Sequence, residues 1–438
     1  MLSHEEKVSR VAQQLKERKS TAPLTLKKKA VSHEVPKPFD KRHSDEKLDI
    51  SDLDEIIQID KERRFCIAEP GVTFSKVVDA TIKYGLAPVV VPELKTITVG
   101  GAVAGCSIEA MSYKFGGFHD SCFEYEVVTA KGDVLICTPD NENQLLFQML
   151  HGTFGTLGII TRLKFRLIPV KPFVKITYEK YRSLEEYKEA IWGHYIKKDT
   201  DFMDGIIHSP EEYVLSTGNF IDKAPYTHNY DWMSVYYLST ATRREDYLKT
   251  PDYFFRYNKG VTNVYPKSLL GRILFGWFIN SNVTLSAANR FRKFMPSNII
   301  PITVDTFIPF SRMDEFMDWF KKEVNHFPLW CVPYKIVRKY EWISDEFLKN
   351  VKDELLLDIA IYGMHRDNPK HYYRIIEEKL IELGGIKTLI STNLYSEKEF
   401  WSIWNKENYA FVKRQTDPEN IFRNLYEKMC RASRGLDG

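Results

Sequence analysis

Residues 92–117, PELKTITVGGAVAGCSIEAMSYKFGG, place five glycines among small side chains. Gly100 and Gly101 are adjacent, and Ala102, Val103, Ala104 and Gly105 follow them. On propensity such a run makes neither a good strand nor a convincing helix, so it reads as a loop. Glycine removes the Cβ and opens positive φ, which suits backbone that must approach something flat or charged. Thr98 and Ser107 add hydroxyls able to bond phosphate or ring oxygens. Neither GxGxxG nor GxxxxGK[ST] is present, so the stretch alone is equally compatible with a tight structural turn.

Its context narrows that choice. About fifty residues on comes a second glycine-spaced loop, HGTFGTLGIIT at 151–161, which runs into the alternating segment RLKFRLIP at 162–169. Between the loops, residues 124–137 read as two strands joined by a hairpin at Lys131-Gly132-Asp133. Upstream, 4–19 reads as a polar helix, with Val8, Val11, Ala12 and Leu15 as its apolar stripe. Residues 16–29 are strongly basic and read as a solvated surface or an anion contact. A short strand is expected at 30–33, then a proline-bearing connection. Further expected elements are strands near 56–60 and 64–68 and a helix at 74–84 capped by Thr73 and ended by Gly85.

The pair TVGGAVAG and HGTFGTLGIIT, with the KGD hairpin between, resembles the FAD-binding domain of the vanillyl-alcohol oxidase superfamily. PELKTITVGG and GIITRLKFRLIPVK are most similar to the delta-24 sterol (desmosterol) reductase branch and its bacterial relatives. DYFFR at 252–256, LFGW at 274–277, PLWCVP at 328–333 and YEKMC at 426–430 extend the resemblance over most of the chain. The resemblance implies an α+β fold. A two-part PCMH-type FAD domain would occupy 1–170. A ferredoxin-like antiparallel cap holding the substrate would span 171–396, and 397–438 would return to the FAD domain. It implies that Thr98, Val99, Gly100, Gly101 and Ala102 cradle the cofactor's diphosphate or ribityl chain. Gly105, Cys106, Ser107 and Glu109 would pass the ring; Gly155, Gly158 and Ile160 would contact the cofactor through backbone; Asn424 would add a polar contact. The superfamily's longer GRGxS-type loop is absent near His33 and His43, which points to noncovalent FAD.

Composition agrees with a two-domain globular chain: 438 residues, 43% apolar, and a formal charge of +3, too balanced for nucleic acid as the main partner. Six scattered cysteines show no metal-ligand spacing, so no metal is expected. No signal-like start or eighteen-residue apolar run is visible, so a cytoplasmic protein is expected, with peripheral membrane contact left open. The most apolar window, 269–279, reads as a buried helix or as the wall of a lipophilic tunnel.

After Pro169 the pattern changes. Strand signals fall at 171–181, 202–215, 232–238, 300–309, 329–337, 355–363 and 388–390. Helical signals fall at 183–192, 311–324 and 368–383. The order strand–helix–strand–strand–helix–strand at the end suggests a ferredoxin-like sheet.

FAD supplies hydride chemistry and the protein supplies position and proton transfer. The candidate proton-transfer residues are Tyr334, Tyr362, His365 and Tyr395. The leading expectation is reduction or formation of a C=C bond in a lipophilic, sterol- or isoprenoid-like substrate, with NADPH as electron donor. The competing expectations are oxidation of an alcohol, sugar acid or lactone, and a flavin-fold binding module without activity.

Overall fold

The computed structural model describes residues 2–436, with the exception of 31, 36, 38, 231–233 and 261–300. The apolar window at 269–279 lies outside the described residues.

Strands β1 (Leu24–Lys27) and β2 (Glu46–Asp49) form a small parallel pair. β3 (Ile56–Asp60), β4 (Phe65–Ala68), β5 (Leu86–Pro88), β6 (Cys122–Val128), β7 (Val134–Cys137) and β8 (Ile159–Pro169) form a six-stranded sheet, ordered β3-β4-β8-β6-β7 with β5 beside β8. β8 alternates buried and less buried residues along its length, as a strand with one face on a core must. Gly132, at φ +79°, closes the β6–β7 hairpin.

A second sheet has eight strands: β9 (Phe173–Tyr181), β10 (Phe202–Ser209), β11 (Glu212–Ile221), β12 (Glu245–Lys249), β13 (Ile302–Pro309), β14 (Leu329–Lys335), β15 (Leu355–Met364) and β16 (Ile386–Lys387). Their order is β12-β9-β11-β10-β14-β15-β13-β16. β13 to β16, with helices Met313–Glu323 and Pro369–Leu383, make the expected ferredoxin-like unit. β9 to β12 make another with the same strand order, and the two units join through β10 and β14. The sheet is therefore a tandem of two units, of which the sequence pattern disclosed only the second. The fold is α+β.

One face of this sheet is covered by helices. Tyr187 and Ile191 of helix Leu184–Lys197, Phe316 and Phe320, and Ile376 and Leu380 bury Met203, Leu215, Cys331, Ile359 and Ile361. The opposite face carries Asp204, Trp330, Asp358 and Asp305, as the register Ile206↔Trp330, Trp330↔Ala360 and Asp305↔Ala360 requires. Ile206, Val214, Val332, Tyr334 and Ala360 of that face share one core with Phe118, Leu163 and Phe165 of the first sheet's body.

Several expectations are corrected. The glycine run is no loop: Val99–Ala104 is a short helix, capped by the Thr98 hydroxyl, which accepts from the Gly101 N–H at 3.1 Å. Tertiary packing overrides its weak propensity, because Val99, Ala102 and Val103 are fully buried. The described residues of 30–33, which are 30, 32 and 33, form no strand; β1 lies inside the basic stretch read as surface or anion contact. Residues 202–215 are not one strand but most of the β10–β11 hairpin. The described end of 232–238 enters a helix, Tyr236–Thr240, and 388–390 gives way to β16 at 386–387.

Helix His4–Lys16 docks Val8, Val11, Ala12 and Leu15 inward, with a Ser3/Glu6 capping box at its start. Its polar residues are also anchored. Lys7 Nζ reaches Glu69 Oε2 at 3.0 Å, and His4 bridges Glu69 at 2.9 Å and Glu126 at 2.8 Å. Burial alone would lower the His4 pKa, but the bonds to Glu126 and Glu69 lift it to about 9. Because the folded value is raised, this stabilisation is complete below the ordinary histidine range and fades as pH climbs through about 9. His4→Gln should lower Tm clearly at pH 6, and its deficit against wild type should close by about pH 10. Thermal melts across that range check this.

Candidate active site between the glycine loops and the second sheet

The two glycine-bearing segments meet. Gly152 N–H donates to Val103 O at 3.3 Å and Phe154 N–H to Ala104 O at 3.3 Å. Gly152 has φ +67°, and a Cβ there would stand 3.3 Å from Cys106 Sγ. Cys106 itself takes φ +54°. The glycines do different work. A Cβ on Gly100 would come within 2.5 Å of Pro70 Cβ, so this glycine lets the helix seat on the Pro70 turn. At Gly158 it would meet Val127 Cγ1 at 2.7 Å. Gly101 is exposed, and Gly155 would meet nothing closer than 4.0 Å, so these two border open space.

The closing segment adds cations. Lys428 Nζ donates to Phe154 O at 2.6 Å, and Lys413 Nζ donates to Thr156 O at 2.8 Å and Phe422 O at 2.6 Å. Lys428 interacts electrostatically with Arg42, Glu34, Lys28 and Lys413. Burial lowers Lys428 to about 7 and Lys37 to about 8. Lys28 presents its side chain to solvent but is surrounded by protein, which lowers its pKa. Against these cations stand Glu34 and Asp40, both bonded to Arg42 at 2.7 Å. Burial favours a neutral Glu34, yet Arg42 and Lys37 hold its carboxyl at about 2. Three crowded lysines with so little counter-charge favour an incoming anion.

Beside the loops lies an apolar cleft, part of it open to solvent. Gly105, Cys106 and Phe154 form one side; Tyr334, Phe307 and Leu356 of the second sheet, with Trp342 and Trp404, form others. At its edge Thr388 donates to Asp305 Oδ2 at 3.2 Å, and the Tyr362 hydroxyl donates to Asp305 Oδ1. Burial raises the Asp305, Asp358 and Tyr362 pKa values; the Tyr362 and Thr388 hydrogen bonds partly offset the rise at Asp305, whereas Asp305 and Glu93 add to it at Asp358. Burial also lifts Glu93 to about 8, with Glu109 and Asp305 adding to the rise against Arg256.

A buried ion triad ties the first glycine segment to the second sheet. Arg256 NH2 lies 3.0 Å from Glu109 Oε1 and 3.1 Å from Asp204 Oδ2. Tyr257 and Trp330 donate to Asp204 Oδ2 at 2.8 and 2.9 Å. The guanidinium sits 4.2 Å from the Tyr253 ring centroid and 4.8 Å from that of Tyr257.

Of the residues singled out from sequence, Gly105 and Cys106 line the cleft together with Tyr334. Thr98 caps the helix, Ser107 N–H donates to Ala102 O at 2.9 Å, and Ile160 lies at the start of β8. Asn424 Oδ1 accepts from Glu427 N–H at 2.8 Å and so caps the final helical turn. Tyr362 sits on Asp305, His365 is exposed, and Tyr395 is buried against Trp404. Sequence reasoning gave no role to Lys37, Lys428, Glu93, Asp305 or Arg256, and placed Lys28 only within a basic stretch read as a solvated surface or an anion contact. Arg256 closes the DYFFR motif and Glu93 is the second residue of the PELK motif, but only the fold pairs them.

Residues 4–138 match the FAD binding domain family. The chain is 26% identical to the Delta(24)-sterol reductase of Homo sapiens over 461 aligned residues, covering 98% of this chain and 87% of that protein. It is 25% identical to the Delta(24)-sterol reductase of Pisum sativum, covering 98% and 85%. Cytokinin dehydrogenase 9 of Oryza sativa subsp. japonica is 30% identical over 143 residues, which is 32% of this chain and 27% of that protein. The protein is an FAD-dependent oxidoreductase with a PCMH-type FAD-binding domain. Along nearly its whole length it is similar to the delta-24 sterol reductases. The residues fit the cofactor: crowded cations beside glycine backbone suit a diphosphate, and the adjoining apolar cleft suits a planar ring. Among the described residues, no helix is long and apolar enough to cross a membrane.

Arg256→Met would leave Glu109 and Asp204 buried without their cation, a loss of about 3–5 kcal/mol. Urea denaturation should show that drop; a change below about 1 kcal/mol would contradict the role given to the triad.

Proposed function

We propose that the chain reduces a carbon–carbon double bond in a lipophilic, sterol- or isoprenoid-like substrate, with noncovalently held FAD and NADPH as electron donor. The observation that carries this reading is the apolar cleft opening directly onto the converging glycine segments. The relatives' printed activity on delta-24 sterols supports the same substrate class. The cleft's lining of Phe307, Ile336, Trp342 and Leu356 offers little to the hydroxyl-rich sugar acids or lactones of the competing reading.

FAD, when bound, supplies hydride to one substrate carbon. Lys28, Lys37 and Lys428 hold its diphosphate, with Thr98, Val99, Gly100, Gly101 and Ala102 alongside. Gly105, Cys106, Ser107 and Glu109 bound the ring region, with Gly155, Gly158, Ile160 and Asn424 supporting the cofactor from the other side. The second carbon needs a proton, and the acidic face of the second sheet stores one. Tyr362 and Asp305 deliver it from the edge of the cleft, where burial raises both pKa values.

Anaerobic mixing with NADPH should bleach the flavin absorbance, and a delta-24 sterol should restore it. Bleaching by an alcohol or lactone but not by NADPH would overturn the proposal. Lys428→Met should weaken FAD binding about 10- to 100-fold by flavin-fluorescence titration, the scale of a hydrogen bond to a charged group.

A further inference from the structure

Gly116 and Gly117 close the glycine-rich stretch, yet neither lines the cleft. Each makes room for a neighbour instead. Gly116 has φ +76°, and a Cβ there would collide with the Asp120 carboxylate and stand 3.1 Å from Val337 Cγ2. A Cβ on Gly117 would collide with the His119 ring. With both side chains missing, the turn Phe118–Ser121 folds back on the two glycines and brings Asp120 against the segment that follows β14.

That segment, 336–343, forms one wall of the cleft, to which Ile336, Tyr340, Trp342 and Ile343 contribute. Asp120 holds it at two points. Tyr340 donates its hydroxyl hydrogen to Asp120 Oδ2 at 2.8 Å, and Arg338 NH2 lies 3.0 Å from Asp120 Oδ1. Gly117 N–H donates to Oδ2 at 2.9 Å and fixes the carboxylate itself. The Asp120 side chain is 1% exposed, so these contacts are sheltered from water and outweigh a surface pair. Among the described residues, the hydrogen bonds and ion pairs that join 336–343 to the first sheet's body all end on Asp120. The far end of the wall is tied elsewhere, through backbone: Asn405 N–H donates to Trp342 O at 3.0 Å, and Ser344 N–H to Ile403 O at 2.8 Å.

The rings of the wall meet the glycine segments. Tyr340 and Trp342 have ring centroids 5.4 Å apart, and His119 packs against them at 5.7 and 6.5 Å. A Cβ on Gly152 would lie 3.9 Å from Trp342 Cε3, so the indole rests on the second glycine segment. Apolar contact of this kind is non-directional and tolerates sliding, whereas hydrogen bonds fix both distance and angle. The Asp120 contacts therefore decide where the wall comes to rest.

We propose that Asp120 is a positioning residue: it sets the closure of the Tyr340–Trp342 wall over the glycine segments. It thereby fixes how tightly the substrate is gripped and how far the flavin ring is shielded from water. The role in gripping rests on the reading of the cleft as the substrate site, and the role in shielding on the ring lying beside Gly105 and Cys106.

Two variants test this. Asp120→Asn keeps the size of the side chain and weakens both contacts; Tyr340→Phe keeps the ring and removes one of them. Both are read in the FAD-loaded protein by two measurements that need no turnover: quenching of flavin fluorescence by iodide, and equilibrium binding of desmosterol. Asp120→Asn should admit more iodide and weaken desmosterol about tenfold, as expected for the loss of a charge-assisted hydrogen bond. Tyr340→Phe should move both readouts in the same direction. The double variant should be no worse than Asp120→Asn, because the two groups form one contact. If Asp120→Asn fails to load FAD, Tyr340→Phe decides. A wild type that does not bind desmosterol, with variants that still admit more iodide, would count against the sterol reading and for the positioning role. Variants that lower Tm but leave iodide access and desmosterol affinity at wild-type values would overturn the proposal, as would effects that simply add in the double variant.

Discussion

The site depends on a close approach of two backbone segments some fifty residues apart in sequence. Gly152 and Phe154 hydrogen-bond to Val103 and Ala104, and that contact is possible only because side chains are missing where they would collide. Gly100 seats its helix on Pro70, Gly158 makes room for Val127, and Gly152 clears Cys106. The carboxy-terminal segment then fixes the arrangement from behind, with Lys428 and Lys413 donating into the carbonyls of Phe154 and Thr156. Lys428 also brings positive charge to the loops, whereas Lys413 is paired with Asp417 at 2.7 Å. At Lys428 the structural tie and a charge suited to an anion are one feature.

The second sheet gives this frame its chemistry. Two ferredoxin-like units joined edge to edge leave one whole face free of their own helices, and that face closes over the glycine segments. Along it the strand register aligns Asp204, Asp358 and Asp305. Arg256 neutralises the Asp204 end together with Glu109. At the Asp305 end the partners among the described residues are the hydroxyls of Tyr362 and Thr388, and burial raises its pKa. One row of carboxylates thus includes a structural clasp at one end and a buried carboxyl with a raised pKa at the other.

Much of this was legible in the sequence. The glycine spacings, the KGD hairpin and the strand β8 identified the cofactor-binding half, and the pattern from 300 to 390 identified one ferredoxin-like unit. What stayed hidden has physical causes. The run around Gly100 reads as a loop because its helix is held by burial of Val99, Ala102 and Val103, which propensity does not see. The first ferredoxin-like unit was obscured because its hairpin turn at Pro210 and Glu211 is only two residues long, so β10 and β11 read as one strand. Lys28 lay in a basic stretch read as surface or anion contact, and Lys428 lies 400 residues further along the chain. The pairing of Glu109 with Arg256 exists only once segments 147 residues apart are side by side.

The most direct measurement is a crystal structure of the FAD-loaded protein. The account predicts the diphosphate beside Lys28, Lys37 and Lys428, the ring against Gly105 and Cys106, and no covalent bond to the chain. Density for the flavin elsewhere, or a diphosphate out of reach of all three lysines, would contradict it.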